Sequence, residues 1–177
     1  TNLWSYPNGD HDGNLKKYQA DPDEEFPLVY ISFPSAKDPD WENRYPGKST
    51  VEVVTPANMD WFKQWDESQW QKRGEDYEAF KAQFAERLME KLFERHPQLR
   101  DKLDYFELST PLSTNWYQKT SAGEMLALDH YVDRFKQPFL HPITPVKNLY
   151  MTGSDIMTAG VGGALMAGMM TTCAMQG

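Results

Sequence analysis

Cysteine is almost missing from this chain. Cys173 stands alone, so no intrachain disulfide can form, which suits a reducing compartment. Long apolar runs are missing too. The least polar stretch, residues 149–175, is interrupted by Ser154, Asp155 and several Thr and Gly. It reads as a buried strand, turn and helix rather than a membrane span. The opening Thr1-Asn2-Leu3-Trp4 has no basic n-region, no apolar h-region and no initiator Met. The expectation is a processed product or fragment, located in the cytoplasm or peripherally on a membrane. Positive charge is in deficit. Eighteen Lys and Arg face 26 Asp and Glu, a net charge of −8, which disfavours nucleic acid as a partner.

Several chemistries are also missing. No G-x-S-x-G and no Cys–His signature supports nucleophilic hydrolysis. His11, His96, His130 and His141 show no metal-ligand spacing, so no metal is expected. Asn8-x-Asp10-x-Asp12-Gly13 resembles the start of a calcium loop, but the twelfth position is Gln19 and no flanking helices are predicted. A hairpin turn is the simpler reading. Asp129-His130 reads as a loop pair held by hydrogen bonds before it reads as catalytic. No catalytic acid or base stands out.

What is present is a foldable chain of 177 residues, 40% hydrophobic and 14% aromatic. Residues 1–27 predict turns around one short strand, residues 3–6. Residues 28–33 are β-branched and aromatic between Pro27 and Pro34, a strand signal. Residues 49–55 predict a second strand, and these two can pair antiparallel. Asp60 is a candidate cap for a short helix within residues 58–71. Tyr77, Phe80, Phe84, Leu88 and Leu92 recur at helical steps, and Pro97 stops that helix just after His96. Residues 103–108 predict a strand and Ser109-Thr110-Pro111 a helix entry. The Trp and Phe residues of 61–70 suit either a core or the wall of an apolar tunnel, core being favoured. Met157, Met166, Met169, Met170 and Met175 read mostly as core, and Cys173 as a buried packing residue. No internal repeat is visible.

The segment that carries chemistry is Asn148 to Met175. A predicted strand, residues 148–152, runs into Gly153-Ser154-Asp155. A glycine-rich turn follows, and a small-residue helix runs from about residue 164 to 175. A strand ending in Gly lets the backbone approach a ligand closely. An acidic side chain just after it can accept hydrogen bonds from sugar-like hydroxyls. Glycines opening a helix leave N–H donors outward, and the helix dipole favours an electron-rich ligand atom. Gly160-x-Gly162-x-x-Leu165 departs from G-x-G-x-x-G at its third glycine. From the residues alone, a cofactor site and a core strand with a tightly packed terminal helix both stay open.

Residues 148–155, with Gly160-Val161-Gly162-Gly163-Ala164-Leu165-Met166-Ala167-Gly168, resemble the closing flavin motif of one oxidoreductase family. This is the FAD-dependent carotenoid isomerase, phytoene desaturase and retinol saturase type. Tyr30-Ile31-Ser32-Phe33-Pro34-Ser35, Lys37-Asp38-Pro39, Ser49-Thr50-Val51-Glu52-Val53, Ser109-Thr110-Pro111-Leu112-Ser113 and Pro142-Ile143-Thr144-Pro145 are similar to its substrate-domain segments, those of the retinol saturase branch above all.

The resemblance implies an α/β fold. Residues 1–147 would be an α+β part of a substrate domain with a mostly antiparallel sheet. Residues 148–177 would be the last strand and helix of a Rossmann-like FAD-binding domain. It implies FAD as cofactor. Gly153 would admit the flavin and Ser154 and Asp155 would bind its ribityl or pyrophosphate side. The N–H groups of Val161, Gly162, Gly163 and Ala164 would face its ring edge. The implied substrate is an apolar polyene whose C–C double bonds are desaturated, saturated or isomerised. The first half of the FAD domain has no counterpart here, since no second glycine-rich dinucleotide motif occurs. The chain alone is expected to be inactive, the missing flavin-binding part being its partner. Membrane association of the parent and a homo-oligomer both stay open. Two alternatives remain: a non-catalytic apolar-ligand or interaction domain, and a subunit that completes a flavin site with a separate chain.

Overall fold

The computed structural model describes residues 2–126 and 128–176. The chain divides into two compact units, Thr1–Gly123 and Glu124–Gly177.

The first unit is built on a three-stranded antiparallel sheet, β1 (Leu3–Ser5), β2 (Val29–Ser32) and β3 (Glu52–Val54), with β2 in the middle. Leu3 pairs with Ile31, and Ile31 with Val53. Alternation sends Val29 and Ile31 into the core while Tyr30 faces the other way and meets Trp4, with ring centroids 4.7 Å apart. Helix α1 (His11–Ala20) lies between β1 and β2 in the chain, and the single-turn α2 (Trp41–Arg44) between β2 and β3.

The longest element is α3 (Glu75–Arg95). Its apolar stripe, Phe84, Leu88, Leu92 and Phe93, buries against Val29 and Ile31 of the sheet and against Tyr18 and Phe26. Full burial of each such side chain stabilises by roughly 1.5–3 kcal/mol. Glu75, Asp76 and Glu78 in the first turn complement the helix dipole. The helix ends at His96, whose N–H still donates to the Leu92 carbonyl, and Pro97 cannot continue it. A second cluster joins Phe62, Trp65, Tyr77 and Leu112. The aromatic residues read as core or tunnel wall are therefore core at Phe62 and Trp65. Helix α4 (Pro111–Gln118) starts at Thr110, whose N–H donates to the Ser113 hydroxyl at 3.3 Å. The Thr110 hydroxyl also meets the Tyr77 hydroxyl at 2.7 Å, tying α4 to α3.

The second unit holds a short α5 (Val132–Phe135), one isolated bridge between Ile143 and Tyr150, a 3-10 turn (Ser154–Ile156) and α6 (Val161–Gln176). Gly163, Ala167 and Thr171, at i, i+4 and i+8, form the buried stripe of α6. Among the described residues no helix is long and apolar enough to cross a membrane.

Five expectations need correction. Residues 11–20 are helical, because Asp10 accepts the Gly13 N–H at 3.0 Å and caps α1; the calcium-like acidic residues are thus a helix start. The element at Met59–Trp65 is a 3-10 helix capped by Asn58, whose side chain accepts from the Asp60 N–H; Asp60 is not the cap. Residues 103–108 lie outside any strand: they are extended in composition but have no neighbour to pair with among the described residues. Residues 148–152 form only the bridge at Tyr150, since Asn148 turns the backbone left-handed with φ 64°. Helix α6 begins at Val161 rather than near residue 164. Two packing expectations fail with it, for Cys173 is exposed, as are Met166, Met169 and Met175.

Candidate functional site

The glycine-rich segment of the second unit forms a turn and a helix start. Gly153 adopts φ 99° and Gly160 φ 90°, values that favour glycine over other residues. A Cβ at either would meet nothing within 4 Å, so the space beside them is open. Ser154 and Asp155 lie in the 3-10 turn, where the Ile156 N–H donates to the Gly153 carbonyl. Asp155 is exposed, and its Oδ1 accepts the Leu128 N–H at 3.0 Å. The second carboxylate oxygen leaves acceptor capacity for a ligand hydroxyl.

Val161, Gly162 and Gly163 form the first turn of α6, a position whose N–H groups lack intrahelical acceptors. The Ala164 N–H is already taken, donating to the Gly160 carbonyl at 3.1 Å. The two central glycines differ. Gly162 is exposed, with nothing within 4 Å of an added Cβ. Gly163 is buried, and its Cβ would sit 1.9 Å from the Thr158 carbonyl oxygen. Gly163 is therefore a packing glycine that seats α6 on Thr158, and Gly162 is the one that leaves room outside. The seven residues singled out by motif thus fall on one turn and one helix start, and the turn packs against α6.

Motif reasoning missed the group that holds this turn. Arg134 of α5 is only 3% exposed. Its Nη2 faces the carbonyl oxygens of Ser154 at 2.7 Å, Asp155 at 3.0 Å and Met157 at 3.3 Å. Its Nη1 donates to the Leu128 carbonyl at 2.5 Å and meets the His130 ring nitrogens at 3.0 and 3.2 Å. The His130 Nε2 accepts the Ala159 N–H at 2.9 Å, and the His130 N–H donates to the Asp129 carboxylate at 2.8 Å. The Asp129-His130 pair is accordingly a hydrogen-bonded loop pair, as its sequence suggested. No sequence signal marks Arg134 as buried, since it stands between Asp133 and Phe135 in a polar stretch.

The first unit carries a separate feature. A groove of about 820 Å³ runs between β3, α3 and residues 99–108. Val51, Val53, Leu88, Met89, Phe93 and Phe106 are among its lining residues. Lys48 pairs with Asp104 there and holds that carboxyl below its usual range. Among the described residues no cluster of three or more His, Cys, Asp or Glu is placed to hold a metal ion.

Comparison with known proteins gives one consistent set of relatives. Over 171 residues the chain is 37% identical to "All-trans-retinol 13,14-reductase" of Danio rerio, covering 93% of this chain and 28% of that protein. The human protein of the same name is 37% identical over 186 residues, covering 98% of this chain and 30% of that protein. An "Inactive all-trans-retinol 13,14-reductase" of Danio rerio is 36% identical over 177 residues, covering 96% and 29%. The chain thus spans under a third of the length of these relatives. No protein-family model and no solved structure matches it.

Proposed function

This chain is a homologue of the all-trans-retinol 13,14-reductases, or retinol saturases, over nearly its whole length, and from that we propose that it is the C-terminal portion of an FAD-dependent oxidoreductase of their type. The complete protein would act on C–C double bonds of an apolar polyene, saturating a retinoid-like substrate. The wider kinship with carotenoid isomerases and phytoene desaturases rests on the glycine motif alone.

The observation that carries the flavin part is the arrangement of residues 153–164. Gly153, Gly160 and Gly162 leave open space where a side chain would stand. A planar cofactor needs such backbone approach. Asp155 retains acceptor capacity for ribityl hydroxyls, next to Ser154. The first-turn N–H groups of α6 and its dipole favour the electron-rich edge of the ring. Bound flavin supplies hydride transfer, the chemistry that saturation or desaturation of a C–C bond requires. The chain's residues contribute binding, orientation and electrostatics, and none of them is assigned as acid or base.

On this reading residues 148–177 are the last strand and helix of a Rossmann-like FAD domain. The lone bridge at Tyr150 is the strand without its neighbours. The exposed apolar surface of α6, with Val161 88% and Leu165 72% exposed, fits a helix that the remainder of such a domain covers. A polyene needs long apolar walls, and the groove along α3 offers one in the first unit.

A second reading has its own support. The relative named inactive matches about as well as those named reductases, so identity does not separate an enzyme from a non-catalytic apolar-ligand or interaction protein. A subunit completing the flavin site of a separate chain fits the same coverage. Flavin absorbance divides these readings. A full-length protein that purifies yellow or takes up FAD supports the first. One that stays colourless yet binds retinoid supports the second.

A further inference from the structure

Arg134 is a buried cation with no carboxylate partner among the described residues. None of the ion pairs among the described residues includes it. A buried charge is costly unless its hydrogen bonds are met, and Arg134 meets them almost wholly with backbone carbonyls. Three of those carbonyls belong to the turn that the flavin reading uses, those of Ser154, Asp155 and Met157.

The consequence follows from peptide geometry. In a trans peptide the C=O and the next N–H point opposite ways. Drawing the Ser154 and Met157 carbonyls toward the guanidinium turns the Asp155 and Thr158 N–H groups away from it. A turn that offered those carbonyls outward would repel an electron-rich ligand. The guanidinium collects them on one side and leaves donors on the other. His130 extends the anchor by accepting the Ala159 N–H, and Asp155 is fixed from its own side by the Leu128 N–H.

We propose that Arg134, with His130 beside it, is the positioning residue of the flavin-facing turn, holding the Ser154, Asp155 and Met157 carbonyls inward and leaving the Asp155 and Thr158 N–H groups outward. The proposal rests on the flavin reading above. Arginine is required rather than lysine. Its two terminal nitrogens, set apart in a planar fork, reach the Leu128, Ser154, Asp155 and Met157 carbonyls and His130 together, and an ammonium has three donors on one atom.

The test uses the full-length protein and its Arg134→Gln, Arg134→Lys and His130→Ala variants. FAD affinity is read by visible absorbance, and amide hydrogen exchange is read at Leu128, Ala159 and, as a folding control, α3. Arg134→Gln is expected to speed exchange at Leu128 and Ala159, leave α3 protected and weaken FAD binding at least tenfold. Arg134→Lys should recover part of that loss. Unchanged exchange at both amides, or FAD affinity within twofold of wild type, overturns the proposal. Should Arg134→Gln fail to fold, His130→Ala carries the test, since it removes the Ala159 bond, the ring's contacts with Arg134 and an edge contact with Phe135 while leaving the arginine in place. Affinity within twofold in that variant is equally fatal. A wild-type protein that takes up no FAD sinks the flavin reading itself, and the positioning claim is then decided by exchange at Leu128 and Ala159 alone.

Discussion

The two adjacent glycines at the start of α6 should respond to alanine in opposite ways. At Gly163 the new Cβ would lie 1.9 Å from the Thr158 carbonyl oxygen, 2.4 Å from its hydroxyl and 2.6 Å from its carbonyl carbon. Two of those atoms are backbone, so relief needs the helix start to lift. Overpacking of this kind costs about 1–3 kcal/mol. At Gly162 an alanine meets nothing within 4 Å and gains helix propensity, a stabilisation of up to about 1 kcal/mol. Amide exchange along α6 reads both effects locally, at about 1.4 kcal/mol per tenfold change. Gly163→Ala should accelerate exchange roughly 5- to 150-fold, while Gly162→Ala should slow it by up to about fivefold. The flavin reading adds a reversal. In the full-length protein Gly162→Ala, although the more stable variant, should weaken FAD binding, because its methyl enters the space left for the ring. If Gly163→Ala exchanges like wild type, or Gly162→Ala is the more damaging of the two, the division of roles between these glycines is wrong.

Two further predictions concern the first unit. The Tyr18 hydroxyl is buried without a hydrogen-bond partner among the described residues. Burial pushes it up to about 12, and the Arg87 charge and the nearby Thr55 hydroxyl, which itself donates to Leu28, oppose the shift. The folded value lies above the unfolded one of 10.0, so this contribution to stability is complete below pH 10 and is lost as pH rises through about 12. Tyr18→Phe should match or exceed wild type in urea at pH 8, since it removes an unpaired buried hydroxyl. It should also lose less stability between pH 8 and pH 11; an equal or larger loss refutes the assignment. Asp10→Ala removes the cap of α1 and should destabilise by about 0.5–2 kcal/mol, read from the urea midpoint. An unchanged midpoint would mean that α1 does not depend on its cap.

The elements that could be read from sequence are those whose signal is local and strong. Helix α3 repeats its apolar residues over about four turns, and β2 is β-branched between prolines. The Thr110-Pro111 entry is likewise a local rule. Helix α1 escaped notice because Asp10, Asp12, Gly13 and Asn14 look like turn chemistry and Tyr18 is its single buried residue. Residues 103–108 and 148–152 have strand composition, yet a strand exists only with a neighbour, and among the described residues they find none beyond the bridge at Tyr150. At the candidate site the glycines are legible because each acts through its own missing side chain. Arg134 is not, because its role depends on four carbonyls up to 23 residues away. The split between Gly162 and Gly163 is likewise three-dimensional, resting on where Thr158 lies.

The most direct test of the account is an FAD titration of the full-length protein beside this chain alone, followed by visible absorbance and flavin fluorescence. The account predicts saturable uptake by the full-length protein and little or none by the chain. A full-length protein that remains colourless and leaves flavin fluorescence unchanged at every concentration would contradict it.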